Sequence, residues 1–486
     1  MTNDPHPESY DVAYAGATTL RGQLERGETT SAAIVEQLLA RIAAIDVAGV
    51  TLGSIAARAD DALEVAHERD RQRARGEIRG PLHGVPVVVK DNIEARGLPG
   101  WAGSTALRGR ASRDAALVTT LRESGAIVLA STNLSQWANI RSPHSTSGYS
   151  ATGGLVANPW ALDRSAGGSS SGSGAALAAG LAPLAVGTET DGSITCPASL
   201  NGVVGLKPTV GVTSRDGVVP ISHSQDSPGP MARSVADVAL LYGAMVRESA
   251  PVPTPARWVD ARAWRTGHAA TDAVFDAVMA QLRSSGLEIA RGEGGLPSAI
   301  EYEDELTVLL AELRDGLDAY LAQRPGEGVS SLADVVAYED AHADVEQRYF
   351  GHEFLVRARD SGGCATEAYE LARERNVGWA LANALGPVLG DYDVVVSPAY
   401  GPAWKSDLVN GDNAKYVSAS IMAAAVAGWP ILTVPMGLVE GLPVGLTLVG
   451  RPHSEWTLLN AARQVEAVLQ RHSSVSTPTW RNADRG

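Results

Sequence analysis

Lys90, the serines between Gly167 and Gly172, and Ser193 are the residues of this chain whose types and surroundings suit nucleophilic chemistry without a histidine or a metal. Lys90 follows Val85-Pro86-Val87-Val88-Val89, so its stem is expected to leave a buried strand. Burial disfavours an ammonium and can lower a lysine pKa by several units, leaving an amine able to take a proton near pH 7. Asp91 works against this if its carboxylate lies close, because it would favour the charged form. The serines sit in two glycine-bearing loops, Gly167-Gly168-Ser169-Ser170-Ser171-Gly172 and Thr188 to Ser193. A serine hydroxyl is a weak nucleophile until a base removes its proton, and glycine lets backbone N–H groups turn inward as an oxyanion hole. On glycine and serine content alone, a structural or anion-binding loop competes evenly with the catalytic reading.

Two rival motifs fail. Gly168-Ser169-Ser170-Ser171-Gly172 fits the G-x-S-x-G elbow, which would need an acid and a histidine downstream, such as Asp393 and His453. That reading leaves the second loop unexplained, and short matches in Ser/Gly-rich sequence are cheap. A phosphate-cradling loop would need Gly-Lys-Ser/Thr, which does not follow. The ten histidines form no HExxH pair, and no Cys/His cluster has zinc spacing. Cys196, beside Ile194 and Pro197, reads as a packed thiol.

The elements that must position these residues alternate between the two hydrophobic periods. Ile34, Val35, Leu38, Leu39, Ile42 and Ile45 predict a helix over 31–45, and a second helical stretch runs to about 75. After the Val85–Val89 strand, Asp114 is expected to cap a helix ending near Gly125, followed by a strand over 126–130. Small residues over 174–182 suit a tightly packed helix, and Ser234 opens another. Residues 270–385 read mainly as amphipathic helices, with Leu306, Leu309, Leu310, Leu313, Leu317 and Leu321 on one stripe. Strand signals return at Val394–Val396, Ile431–Val434 and Val444–Val449. The expectation is α/β layering in one domain over 1–486, with a mainly helical insertion at about 250–390.

The net charge of −15 disfavours a nucleic-acid partner, since phosphates would meet repulsion. No stretch approaches the roughly 18 apolar residues of a membrane span. The polar start MTNDPHPESY lacks a secretory pattern, so a cytoplasmic location is expected.

Three segments in order, Gly84-Val85-Pro86-Val87-Val88-Val89-Lys90-Asp91, Gly167 to Ser173 and Gly187-Thr188-Glu189-Thr190-Asp191-Gly192-Ser193, resemble the amidase signature family. The 24-residue interval from Ser169 to Ser193 fits that family's spacing. The likeness extends through 201–209, 229–237, 394–399 and 427–435. It implies a large mixed sheet with helices on both faces (α/β/α) and an amidase that needs no cofactor or metal. It further implies Ser193 as nucleophile, Ser169 as proton shuttle after a cis Gly168–Ser169 peptide, and Lys90 as base. Ser170 would help orient Lys90, and the N–H groups of Thr190, Asp191, Gly192 and Ser193 would form the oxyanion hole.

The chain departs from the family's usual pattern near the nucleophile. Glu189 and Thr195 stand where many members have an aspartate–arginine pair, and Asp191 stands where most have glycine. Absence of an arginine here disfavours carboxylated substrates. GTETDGSITCP, DRSAGGSSSGSG and residues 133–154 look most like bacterial peptide amidases, which remove the C-terminal amide of peptides. Asp191 is expected either to repel a free C-terminal carboxylate, or to cap a turn or pair with a base. Tyr149 is a candidate for the substrate pocket, as is Trp137, although each taken singly suits the core. The competing substrate readings are an aryl or aliphatic amide amidase, and the amidase subunit of a tRNA-dependent amidotransferase.

Overall fold

Eleven strands build one mixed sheet in the computed structural model, which describes residues 12–108, 113–292, 302–324, 328–470 and 478–480. The start MTNDPHPESY lies outside the described residues. In chain order the strands are β1 (Ile55–Arg58), β2 (Pro86–Lys90), β3 (Ile127–Thr132), β4 (Leu184–Glu189), β5 (Val204–Lys207), β6 (Ser227–Ala232), β7 (Trp258–Asp260), β8 (Ile289–Arg291), β9 (Val394–Pro398), β10 (Ile431–Val439) and β11 (Leu442–Val449). In space they run β1-β3-β2-β4-β6-β5-β10-β11-β9-β7-β8. β2 is parallel to both β3 and β4, while β4, β6, β5, β10, β11 and β9 succeed each other antiparallel. The β-branched runs are central because helices cover both faces of the sheet, leaving no side of these strands in water.

The helix predicted over 31–45 forms as Ser31–Arg41 and continues as a π-helical turn to Ala48. Thr30 caps it, accepting from the Ala33 N–H at 3.1 Å. Asp114 does not cap the next predicted helix. That helix spans Ala116–Glu123, Ala115 stands at its N-cap, and Asp114 instead accepts from the Arg96 N–H at 2.8 Å and pairs with Arg122. A carboxylate held by one backbone amide and one guanidinium gains more than a single helix amide would give it.

Three helices matter for the site. α1 (Ser171–Ala178) is buried at every residue, which its Ser, Gly and Ala content makes possible. α2 (Thr195–Asn201) follows the second serine loop. α3 (Tyr302–Ala322) carries the predicted leucine stripe: Leu306, Leu310, Leu313, Leu317 and Leu321 are buried and Leu309 partly so. The segment 250–390, read as mainly helical, also supplies β7 and β8. These three-residue strands join the sheet edge in parallel, with the helix Ala269–Ser284 between them in sequence.

Candidate active site

Lys90 is the last residue of β2, and its side chain is fully buried. Alternation along the strand sends Lys90 and Asp91 to opposite sides. The Asp91 carboxylate accepts from the Gly100 N–H at 3.0 Å and the Trp101 N–H at 3.3 Å, and burial pushes its pKa up to about 7. The amine lies 2.7 Å from Ser169 Oγ, 2.9 Å from Thr188 Oγ1 and 3.2 Å from the Thr188 carbonyl. Burial brings Lys90 down to about 7 from its usual 10.5, against the opposing negative fields of Asp226 and Glu189.

Ser169 follows a cis peptide from Gly168, and its carbonyl accepts from the Ser135 N–H at 3.1 Å. Ser170 makes no hydrogen bond to Lys90. Its hydroxyl donates to the Thr188 carbonyl at 3.1 Å and accepts from the Thr188 N–H at 3.3 Å. It thus braces the residue that holds the lysine. The Ser170 N–H also donates to the Ser193 carbonyl at 3.1 Å, tying the two serine loops together.

In the second loop, Glu189 Oε2 accepts from the Ile194 N–H at 2.6 Å and the Thr195 N–H at 2.7 Å. This replaces the missing aspartate–arginine pair with a carboxylate held by backbone amides. Gly192 has φ +80°, and a Cβ there would lie 2.5 Å from the Tyr400 hydroxyl, so both conformation and space require glycine. Among the described residues, the amides of Asp191, Gly192 and Ser193 donate no hydrogen bond within the protein. Those amides suit an incoming oxyanion.

Asp191 neither caps a turn nor pairs with a base. Its carboxyl is hydrogen-bonded to that of Glu305 in the first turn of α3, which in turn accepts from Gln225 Nε2 at 3.1 Å. Burial raises both carboxyls, and the negative fields of Glu305 and Glu189 hold Asp191 well above the carboxylate range against Lys207. The pair therefore keeps a proton above the ordinary carboxylate range.

Tyr149 is buried, packed edge-on against Tyr349 at 5.1 Å and Phe350 at 5.5 Å. Trp137 is buried, with its indole N–H donating to Glu339 at 2.6 Å. Cys196 is buried and its thiol is pushed up by burial, as a packed thiol should be. The elbow's candidate partners stay away: Asp393 pairs with Arg257, and His453 is exposed. Thr188, Asn92, Asp226, Glu305 and Tyr400 surround the serines and lysine, and nothing in their local sequence marks them as functional. Of these, Thr188 alone falls within one of the three family-like segments.

The sequence profile of the family described as Amidase matches residues 33–459, and the chain belongs to this amidase signature family. It is an amidase, a hydrolase of amide C–N bonds. The native peptide amidase from Stenotrophomonas maltophilia is 40% identical, with a TM-score of 0.89 over 97% of this chain and 99% of that one. The peptide amidase PAM in complex with the competitive inhibitor chymostatin is 41% identical, with a TM-score of 0.90 over 96% of this chain and all of that one. A glutamyl-tRNA(Gln) amidotransferase subunit from Symbiobacterium thermophilum is 34% identical over 92% of this chain and 95% of its own length. Among the described residues, no helix is long and apolar enough to cross a membrane.

Proposed function

We propose that this amidase hydrolyses the C-terminal amide of peptides, or amino acid amides, to the free acid and ammonia through an acyl-enzyme on Ser193. The observation that carries the mechanism is the buried Lys90 amine 2.7 Å from Ser169 Oγ. A neutral amine has two N–H bonds and one lone pair. The Thr188 carbonyl can only accept, and its hydroxyl is the second acceptor, so the lone pair is left for the Ser169 proton. Lys90 then draws a proton through Ser169 as Ser193 attacks the amide carbonyl. The amides of Thr190 to Ser193 receive the developing oxyanion. The relay returns its proton to the departing ammonia, and a water activated the same way releases the acid.

The substrate class rests on the likeness to peptide amidases across nearly the whole chain, including one bound to the inhibitor chymostatin. The carboxyl pair adds a physical reason for preferring amides. Asp191 and Glu305 together carry one negative charge, two residues from Ser193, which a carboxylate would meet and a carboxamide would not. The relationship to amidotransferase subunits favours no tRNA-dependent role here, given a net charge of −15. Ammonia release from amidated dipeptides, aryl amides and fatty amides tests the assignment, with Ser193→Ala as control. Dipeptide amides should be the preferred group, and the variant should be inactive on all three. Preference for aryl or fatty amides would overturn the substrate class, and activity in the variant would overturn the mechanism.

A further inference from the structure

Beside Thr188, the residue that holds the lysine, lies a cavity of about 10 Å³ that the catalytic steps above leave unused. Its polar lining is Asn92, Thr188, Thr190, Asp226 and Ser227, and its remaining wall is mainly apolar. Asn92 Nδ2 donates to Thr188 Oγ1 at 3.0 Å, the same oxygen that faces the Lys90 amine at 2.9 Å. With both lone pairs engaged, the Thr188 hydroxyl must direct its own proton elsewhere. Asn92 Oδ1 and Ser227 Oγ are buried polar atoms with no partner in the protein, and both residues line this cavity. Asp226 across the way is committed to Thr190 Oγ1 at 2.6 Å and to the Ile221 and Ser222 amides. One donor in need of an acceptor, one acceptor in need of a donor and a free hydroxyl surround room for about one water molecule, which requires two to four polar partners.

We propose that this cavity binds one water as a fixed part of the catalytic site, and that Asn92 is a positioning residue. Through Thr188 and that water, it keeps the Lys90 lone pair turned toward Ser169. The inference rests on the Lys90–Ser169–Ser193 reading. The water accepts from the Thr188 hydroxyl and donates to Asn92 Oδ1, with Ser227 Oγ as a further partner. Without the Asn92 donor, Thr188 Oγ1 can rotate its proton onto the Lys90 lone pair. The neutral amine is then stabilised but misdirected. The charged groups facing Lys90 are Asp226 and Glu189, while Asp91 is turned to the amides of residues 100–103.

Two measurements test this. A high-resolution crystal structure of the resting enzyme should show one water within hydrogen-bond reach of Asn92 and Ser227; a dry cavity overturns the water site. Asn92→Leu, which fills the cavity and removes the donor, should lower kcat about 30-fold with KM within about twofold. Its acid limb should move to lower pH by about half a unit or more, and Asn92→Ser, which keeps a donor and the room, should recover most of the rate. A lower folded fraction would cut the rate without moving that limb, and an unmoved limb overturns the positioning role. Should Asn92→Leu not fold, Asn92→Ala is read by the same limb. Failure of the underlying reading is separable, because inactive wild-type enzyme or active Ser193→Ala would signal it directly.

Discussion

On the β2 side of the Ser193 loop, a lysine is buried among hydroxyls and a carbonyl. On the α3 side, a part-buried carboxyl group meets a buried one. Desolvation acts on both and pushes each toward its uncharged form. For Lys90 the uncharged form is a base, available near pH 7 because no carboxylate touches the amine. For Asp191 and Glu305 it is a shared proton, so two acids in contact carry one charge between them. The same physical force thus makes a proton acceptor on one side and a charge-limited rim on the other. What separates them is the neighbour: fixed acceptors beside the lysine, a second acid beside the aspartate.

The sharpest way to break this contrast is on the lysine side. Lys90→Ala leaves Ser193 without its base and is expected to lower kcat by about 10⁴-fold in ammonia-release assays. In the wild-type enzyme, kcat/KM should rise about tenfold per pH unit up to the Lys90 pKa and then level off. The sign follows from the depressed value: the amine is charged and inactive below about 7 and neutral above it. Asp226 and Glu189 both favour the ammonium, so Glu189→Gln should carry the limb to lower pH. A limb that stays in place when either is neutralised would mean the titrating group is not Lys90.

The carboxyl side calls for a smaller effect of a different kind. Burial, the largest influence on Asp191, persists in Glu305→Gln and disfavours charge on the one remaining acid, whereas Asp191→Asn leaves Glu305 to carry the charge. Inhibition by the free peptide acid should therefore strengthen about 10-fold in Glu305→Gln and less in Asp191→Asn. The double variant should fall short of the sum, because the two residues share one proton. Equal discrimination between amide and acid in wild type and Glu305→Gln would remove the pair from substrate selection.

The two sides also differ in how far the sequence reveals them. Lys90, Ser169 and Ser193 lie in local segments whose order and spacing are distinctive, and strand alternation tells Lys90 from Asp91 once β2 is placed. The apolar runs predict five of the eleven strands, β2, β3, β9, β10 and β11, whereas β7 and β8, at three residues each, are too short to show a period. Glu305 is hidden for another reason. It stands with Glu303 and Asp304 in the first turn of an amphipathic helix, where acids commonly face solvent. Only tertiary packing brings it to Asp191. Asn92 and Asp226 are likewise silent, since their importance lies in what surrounds one cavity. Asp114 misleads because cap preference is local, and the Arg96 amide and Arg122 guanidinium that claim it are not adjacent in sequence.

The smallest expected effect concerns how far the pocket extends beyond the two sides. Tyr149 follows Gly148, whose N–H donates to Ser135 Oγ at 2.9 Å, while the Ser135 N–H donates to the Ser169 carbonyl at 3.1 Å. Through that short chain, the tyrosine belongs to the wall of the catalytic loops. Its edge-on partners, Tyr349 and Phe350, come from the helical segment, and Tyr349 is 40% exposed. If this aromatic group contacts the substrate side chain, Tyr349→Ala should raise KM about threefold for an amide with an aromatic residue and leave alaninamide unchanged. If the group is only core, Tyr149→Leu lowers the melting midpoint while Tyr349→Ala leaves both KM values alone. KM for the two substrates, set beside thermal unfolding of both variants, decides which side of the molecule Tyr149 serves.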